Sequence, residues 1–249
     1  MLIIKELMLL YLGFIRGYFI HLNNKNMGLD MRPMGKPKKG FEKRFVQIFN
    51  IIKGIEQQEL SSFDKLQGKK LKTKKELLEE WFENQIPSYE TIKAPMVGRD
   101  MDAHKWITER YEETEKEMPL DEFIKAHHGY YVIELATEKE GVPVYMSIMQ
   151  DRNVFRGAFL NDCVDLIGED LVSEAWESKL SSDALDYGNR LMNIANKIAK
   201  EHDMEYLRNQ RVPPRSGENN MVNQLHIVFS LAKWLIFYGE NGHGYGADF

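Results

Sequence analysis

Apolar residues recur along most of this chain at the spacing of a helix. In 41–60, "FEKRFVQIFNIIKGIEQQEL", Phe41, Phe45, Ile48, Ile52 and Ile55 fall on one face, which predicts an amphipathic helix weakened near Gly54. Thr73 and Glu76 have capping-box spacing ahead of Leu77, Leu78, Trp81 and Phe82, so a second helix starts there. A long connection follows, punctuated by Pro87, Pro95 and Gly98. Asp100 then caps a helix through Trp106, Ile107 and Tyr111, and Pro119 opens a short one closed by "HHG". The period next changes. "YYVIELA" and "VPVYMSIM", joined by "TEKEG", are β-rich runs and predict a hairpin over about 130–149. Helices resume over 155–167, 170–177, 182–202 and 220–238, with the loop "NQRVPPRSGENN" before the last.

The final helix is apolar nearly all round, since Val222, Leu225, Phe229, Ala232 and Ile236 share one side while Ile227 and Trp234 take the other. Such a helix belongs at the centre of a molecule. Asn223, His226, Ser230 and Lys233 interrupt it as one narrow polar stripe. That stripe is either a strip of solvent exposure or the wall of a polar pocket, because buried polar groups need partners. The ensuing "GENGHGYGADF" is either a helix stop with a tail or a loop around a ligand that carries His243. Gly239 fits the left-handed residue that ends a helix. The fold expected is α+β, predominantly helical, with one β-hairpin and a buried C-terminal helix. Residues 27–249 form a single domain in this reading, with a split near 87–99 as the alternative.

Composition narrows the class. With 249 residues, 43% hydrophobic and 29% charged, the chain can bury a full core. One cysteine, Cys163, leaves no internal disulfide and no multi-cysteine zinc site, and suits a reducing cytoplasm. Its helical stripe with Phe159, Leu166 and Ile167 points it inward. Charge is polarised: residues 1–75 carry 16 Lys and Arg against 6 Asp and Glu, while residues 76–249 carry 17 against 32. The two parts either attract each other or steer an anionic partner.

The chain holds no GxxxxGK[ST], GxGxxG after a strand, GxSxG or HExxH, so nucleotide loops, a nucleophile elbow and a common zinc protease site are excluded. No cofactor and no metal is expected. Asp162 and Asp165 share the polar side of a helix, which solvation explains better than a cation. His127, His128 and His202 close helices and read as capping residues. Two candidate sites remain. His226, Ser230, Lys233 and His243 could serve a small-molecule hydrolase with a polar pocket along the last helix, although no orienting group or oxyanion hole accompanies them. Lys69, Lys70, Lys72, Lys74 and Lys75, within "KLQGKKLKTKK", could meet a partner or phosphates. A pI near 5.9 and the lack of a nucleic-acid module argue against a dedicated nucleic-acid binder.

The first 26 residues stand apart. Their apolar core, Leu7–Ile15, is interrupted by Arg16 and is shorter than the roughly 20 residues a span requires. The segment reads as an upstream extension with Met27 as initiator, as a docked helix, or as a stretch in contact with a membrane. "MGLDMRP" from Met27, with "GKPKKGFE" after it, resembles the opening of uncharacterised bacterial proteins. That resemblance implies a bacterial or phage source and no chemistry. The leading expectation is a cytoplasmic partner-binding module, its partner a protein. The hydrolase is the alternative, and a nucleic-acid binder through 65–75 the third.

Overall fold

The computed structural model describes residues 28–132, 135, 154–214 and 220–248. The described chain is mostly helical, with short antiparallel strands, an α+β architecture. It divides into two compact units, Gly35–Thr91 and the residues up to Met34 together with those from Ile92 onward.

The larger unit begins with strand β1 (Asp30–Pro33). The smaller unit follows, with β2 (Lys36–Pro37), α1 (Glu42–Ile52), α2 (Ser62–Leu66), α3 (Lys74–Glu83), β3 (Gln85–Ile86) and most of α4 (Ser88–Ile92). The chain then returns to the larger unit with α5 (Met101–Glu112), α6 (Leu120–Ala126), β4 (Phe155–Arg156), a 3-10 helix at Gly157–Cys163, α7 (Val164–Ile167) and α8 (Glu169–Glu174). It finishes with α9 (Ser181–Glu201), a second 3-10 helix at Glu205–Asn209, α10 (Asn220–Glu240) and β5 (Tyr245–Asp248).

In the smaller unit, α1 and α3 pack through Phe45, Ile48 and Phe49 against Leu77, Leu78 and Trp81, and Phe45 stacks on Trp81 at 4.5 Å between ring centroids. The expected capping box is present. Thr73 accepts from the Glu76 N–H, and the Glu76 carboxylate accepts from the Thr73 N–H. Helix α1 stops earlier than its apolar spacing suggests. Gly54 takes a left-handed conformation, φ 73°, which ends the helix at Ile52 and leaves Ile55 68% exposed.

In the larger unit α10 is the axis. All of Leu225–Ala232 is buried, as are Trp234, Leu235, Phe237 and Tyr238, as its all-round apolarity predicts. Helix α9 lies against it at close range, because glycines occupy the crossing. A methyl on Gly188 would sit 2.8 Å from Leu235 Cβ, and one on Gly239 would sit 2.8 Å from Leu185 Cβ. Gly239 is thus a packing residue inside the helix. The residue that ends α10 is Gly242, φ 84°, in a Schellman arrangement where His243 N–H donates to Tyr238 O and Gly242 N–H to Gly239 O.

A three-stranded sheet, ordered β4-β1-β5, borders this core. Met31 pairs with Phe155 on one side and with Ala247 on the other. The stretch 155–167, expected as one helix, is divided because its first two residues join this sheet. Gly157 then allows Leu29 Cδ2 within what would be 2.5 Å of a Cβ, and the 3-10 turn takes the chain into α7. Of the hairpin expected over about 130–149, residues 133–134 and 136–149 lie outside the described residues, and Tyr131 bridges to Met96.

Candidate functional site

The C-terminal segment is structural. After Gly242 the chain turns back and β5 inserts beside β1, with a bridge to Lys179 on its other side. Tyr245 N–H donates to Lys179 O and Lys179 N–H to Tyr245 O, both at 2.9 Å. Ala247 N–H donates to Ser178 Oγ at 3.0 Å. Tyr245 is fully buried. Asp30 and Asp248 stand opposite each other in the register, and Arg32 bridges both carboxylates while Arg156 pairs with Asp30. Two facing acids are held together by two guanidinium groups, each already committed.

His243 is buried within this tail, and its Nδ1–H donates to the Met34 carbonyl at 2.8 Å. That bond joins the C-terminal turn to the end of β1. The polar stripe of α10 is buried at its centre. Ser230 Oγ donates to the His226 carbonyl one turn back, at 2.7 Å, and His226 Nε2–H donates to Gln210 O at 3.1 Å. Burial lowers the His226 pKa, against the opposing effect of its bond to Gln210 O. The Ser230 hydroxyl is spent on a backbone carbonyl and meets no ring nitrogen. The four candidates therefore do not form a nucleophile–base pair, and acyl transfer has no starting geometry here.

Lys233 is different. Two turns beyond His226, it is partly buried at the edge of α10, and burial together with Arg208 and Arg211 pushes its ammonium down to about 8. Both arginines are exposed and flank Gln210, the residue that holds His226.

Of the lysines in the basic run, Lys69, Lys70, Lys72 and Lys75 are exposed and Lys74 is partly buried. Lys69 pairs with Asp64 at 2.7 Å, Lys72 with Glu80 at 3.1 Å and Lys75 with Glu79 at 3.8 Å. Burial lowers the Lys74 pKa, and Lys70 is exposed. Among them stands an apolar set the periodicity did not reveal. Helix α2 buries nothing, and Phe63 is 66% exposed, Leu66 88% and Leu71 51%. The only sequence signal was "SSFDKLQ", a five-residue helix capped by Ser61, which accepts from Asp64 N–H at 3.1 Å.

The remaining candidates are structural. Cys163 is buried, its Sγ–H donates to Gln224 O at 3.5 Å, and burial beside Asp162 pushes its pKa up to about 12. That makes it a poor nucleophile. Asp162 and Asp165 are exposed. His127 caps α6 and donates from Nδ1 to Phe123 O at 2.7 Å. Among the described residues no group of three or more His, Cys, Asp or Glu could hold a metal ion, and no helix is long and apolar enough to cross a membrane. Protein-family models, curated proteins and solved structures were all compared with this chain, and none matches.

Proposed function

We propose that this chain is a partner-binding protein of the cytoplasm of a bacterium or its phage, and that its partner is a protein with an acidic surface around an apolar groove. The observation that carries the reading is the exposure of large apolar side chains on and around α2. Ile55, Phe63, Leu66 and Leu71 are more than half exposed and are bordered by Lys65, Lys69, Lys70 and Lys72. Large apolar side chains grouped on a surface and rimmed by charge mark interaction sites. The charge polarity of the sequence supports the same direction, since a basic N-terminal part attracts acidic surfaces.

Co-purification from native lysate of wild type and of Phe63→Ser/Leu66→Ser tests this. Both side chains are exposed, so the fold tolerates their replacement. A specific acidic partner retained by wild type and lost by the double variant is the expected result, and a partner set identical for both overturns it. A nucleic-acid interface through 65–75 behaves oppositely. There, replacing Lys69, Lys70, Lys72, Lys74 and Lys75 abolishes heparin retention while the Phe63 and Leu66 changes leave it intact.

A further inference from the structure

Folding leaves two stretches of opposite charge open to solvent. In the smaller unit, the Gln58 side chain closes the loop 59–71 at its neck. Its Nε2–H donates to Lys72 O at 2.8 Å, and its Oε1 accepts from Lys72 N–H at 3.0 Å. Lys72 Nζ also reaches Glu80 on α3 at 3.1 Å, which fastens the neck to that helix. Inside the loop, the Asp64 carboxylate accepts from Ser61 Oγ at 2.6 Å and from Lys69 Nζ at 2.7 Å. Hydrogen bonds thus hold the loop in shape while α2 buries nothing. Phe63 and Leu66 lie three residues apart on α2 and are neighbours on its surface. Residues 65–75 hold six lysines and no acid. Lys65 and Lys70 are exposed and take part in no ion pair among the described residues.

The second stretch is the outer side of residues 157–170, which hold four acids and no Lys or Arg. Leu160, Cys163 and Ile167 turn inward and are buried. Phe159 is 42% exposed, and Asp162 and Asp165 are exposed. Residues three apart in a 3-10 helix eclipse each other, so Asp162 stands directly over Phe159, and Asp165 follows in α7. Glu169 and Asp170 extend the acidic run into α8. None of these four acids joins an ion pair among the described residues. The acidic stretch therefore repeats the composition of the loop with the sign of its charge reversed. Two loops repel each other, as do two acidic stretches, whereas a loop and an acidic stretch attract.

Resting on the partner-binding reading above, we infer that the acidic partner is a second copy of this chain. The 59–71 loop of one copy seats Phe63 and Leu66 against Phe159 of the next, with Lys65 and Lys70 opposite Asp162 and Asp165. The contact is head to tail, so each copy offers one loop and one acidic stretch. A single loop on a convex surface belongs with the small, transient interfaces, and its exposed charges make it sensitive to salt.

Sedimentation velocity of the full chain from about 5 to about 200 µM, the range of transient contacts, tests this. The mean sedimentation coefficient of wild type rises with concentration in about 50 mM sodium chloride and rises less in about 500 mM. Phe63→Ser/Leu66→Ser and Asp162→Lys/Asp165→Lys each weaken the association about tenfold or more. All four positions are exposed, and Lys65→Glu/Lys70→Glu gives an independent variant of the loop that leaves its apolar side chains in place. Mixing Phe63→Ser/Leu66→Ser with Asp162→Lys/Asp165→Lys restores association, because each supplies the surface that the other lacks, and the mixture stops at pairs. Wild type that stays monomeric throughout overturns the inference, and capture of a different acidic protein by that monomer leaves the partner-binding reading standing. Association that survives Asp162→Lys/Asp165→Lys, or no gain on mixing, overturns the inference too. Self-association and a lysate partner set both unchanged by Phe63→Ser/Leu66→Ser remove the inference and the reading together.

Discussion

Gly244→Ala is a severe test of how the C-terminal tail is held. Gly244 sits where β5 passes 179–180, and a methyl on it would lie 2.8 Å from Leu180 Cα, 2.9 Å from the Leu180 carbonyl carbon, and nearer still to the Lys179 carbonyl oxygen. Ordinary carbon contacts are about 3.5–4.0 Å, and all three atoms are backbone, so no side chain can swing aside. The strand must retreat by about 1 Å. That stretches the two 2.9 Å bonds between Lys179 and Tyr245 beyond useful range. Each such bond contributes about 0.5–1.5 kcal/mol net. Loosening fully buried Tyr245 adds about 1–2 kcal/mol of lost apolar burial. The expected cost is about 2–5 kcal/mol, or about 4–20 °C in Tm for a chain of this size. Urea unfolding followed by near-ultraviolet circular dichroism measures it, with Gly28→Ala as control because nothing lies within 4 Å of the added methyl. The control stays within about 0.5 kcal/mol of wild type. Gly244→Ala doing the same would falsify the close approach of β5.

Three further outcomes follow from individual side chains. Cys163, buried and with its pKa pushed up to about 12, resists iodoacetamide at pH 7.5 until urea unfolds the chain; fast alkylation of the native protein contradicts its burial. Thr73→Ala removes the side chain that accepts from Glu76 N–H and lowers the stability of the 35–91 unit by about 1 kcal/mol, read from its unfolding transition; an unchanged transition disproves the cap. Lys233 has a native pKa of about 8, below its ordinary 10.5. Between those values the native amine releases its proton while the unfolded one keeps it, so its contribution to stability rises with pH. Below pH 8 the full penalty persists. Cys163 acts in the opposite sense from pH 9 upward, so the measurement is the difference between wild type and Lys233→Met. Wild type gains on the variant from pH 8 to 10.5, and a flat difference refutes the depressed amine.

Among the site candidates, the sequence offered side chains but not their partners. His226 and Ser230 share a helical face, as spacing predicts. Whether that face met water, a cavity or carbonyl oxygens depended on Gln210, which reaches His226 from sixteen residues away. The basic run 65–75 was visible as composition, whereas the exposure of Phe63, Leu66 and Leu71 in and beside it was not. A five-residue helix has too few positions for periodicity to assign a buried side.

Local physics determined much of this protein from the sequence. The all-round apolarity of 220–238 required a central helix, the Thr73–Glu76 spacing required a helix start, and the stripe containing Cys163 pointed that thiol inward. The tertiary structure alone decided the β4-β1-β5 sheet. It joins residues near 30, 155 and 248 through strands of two to four residues, too short to show an alternation and too far apart for one to specify another. Tertiary packing also decided what the glycines do. Gly239 and Gly244 read as flexible punctuation in the chain, yet they are glycine because α9 and residues 179–180 come too close for a methyl group. Spacing along a chain reports the faces of its elements, while the gaps between elements exist only once they pack.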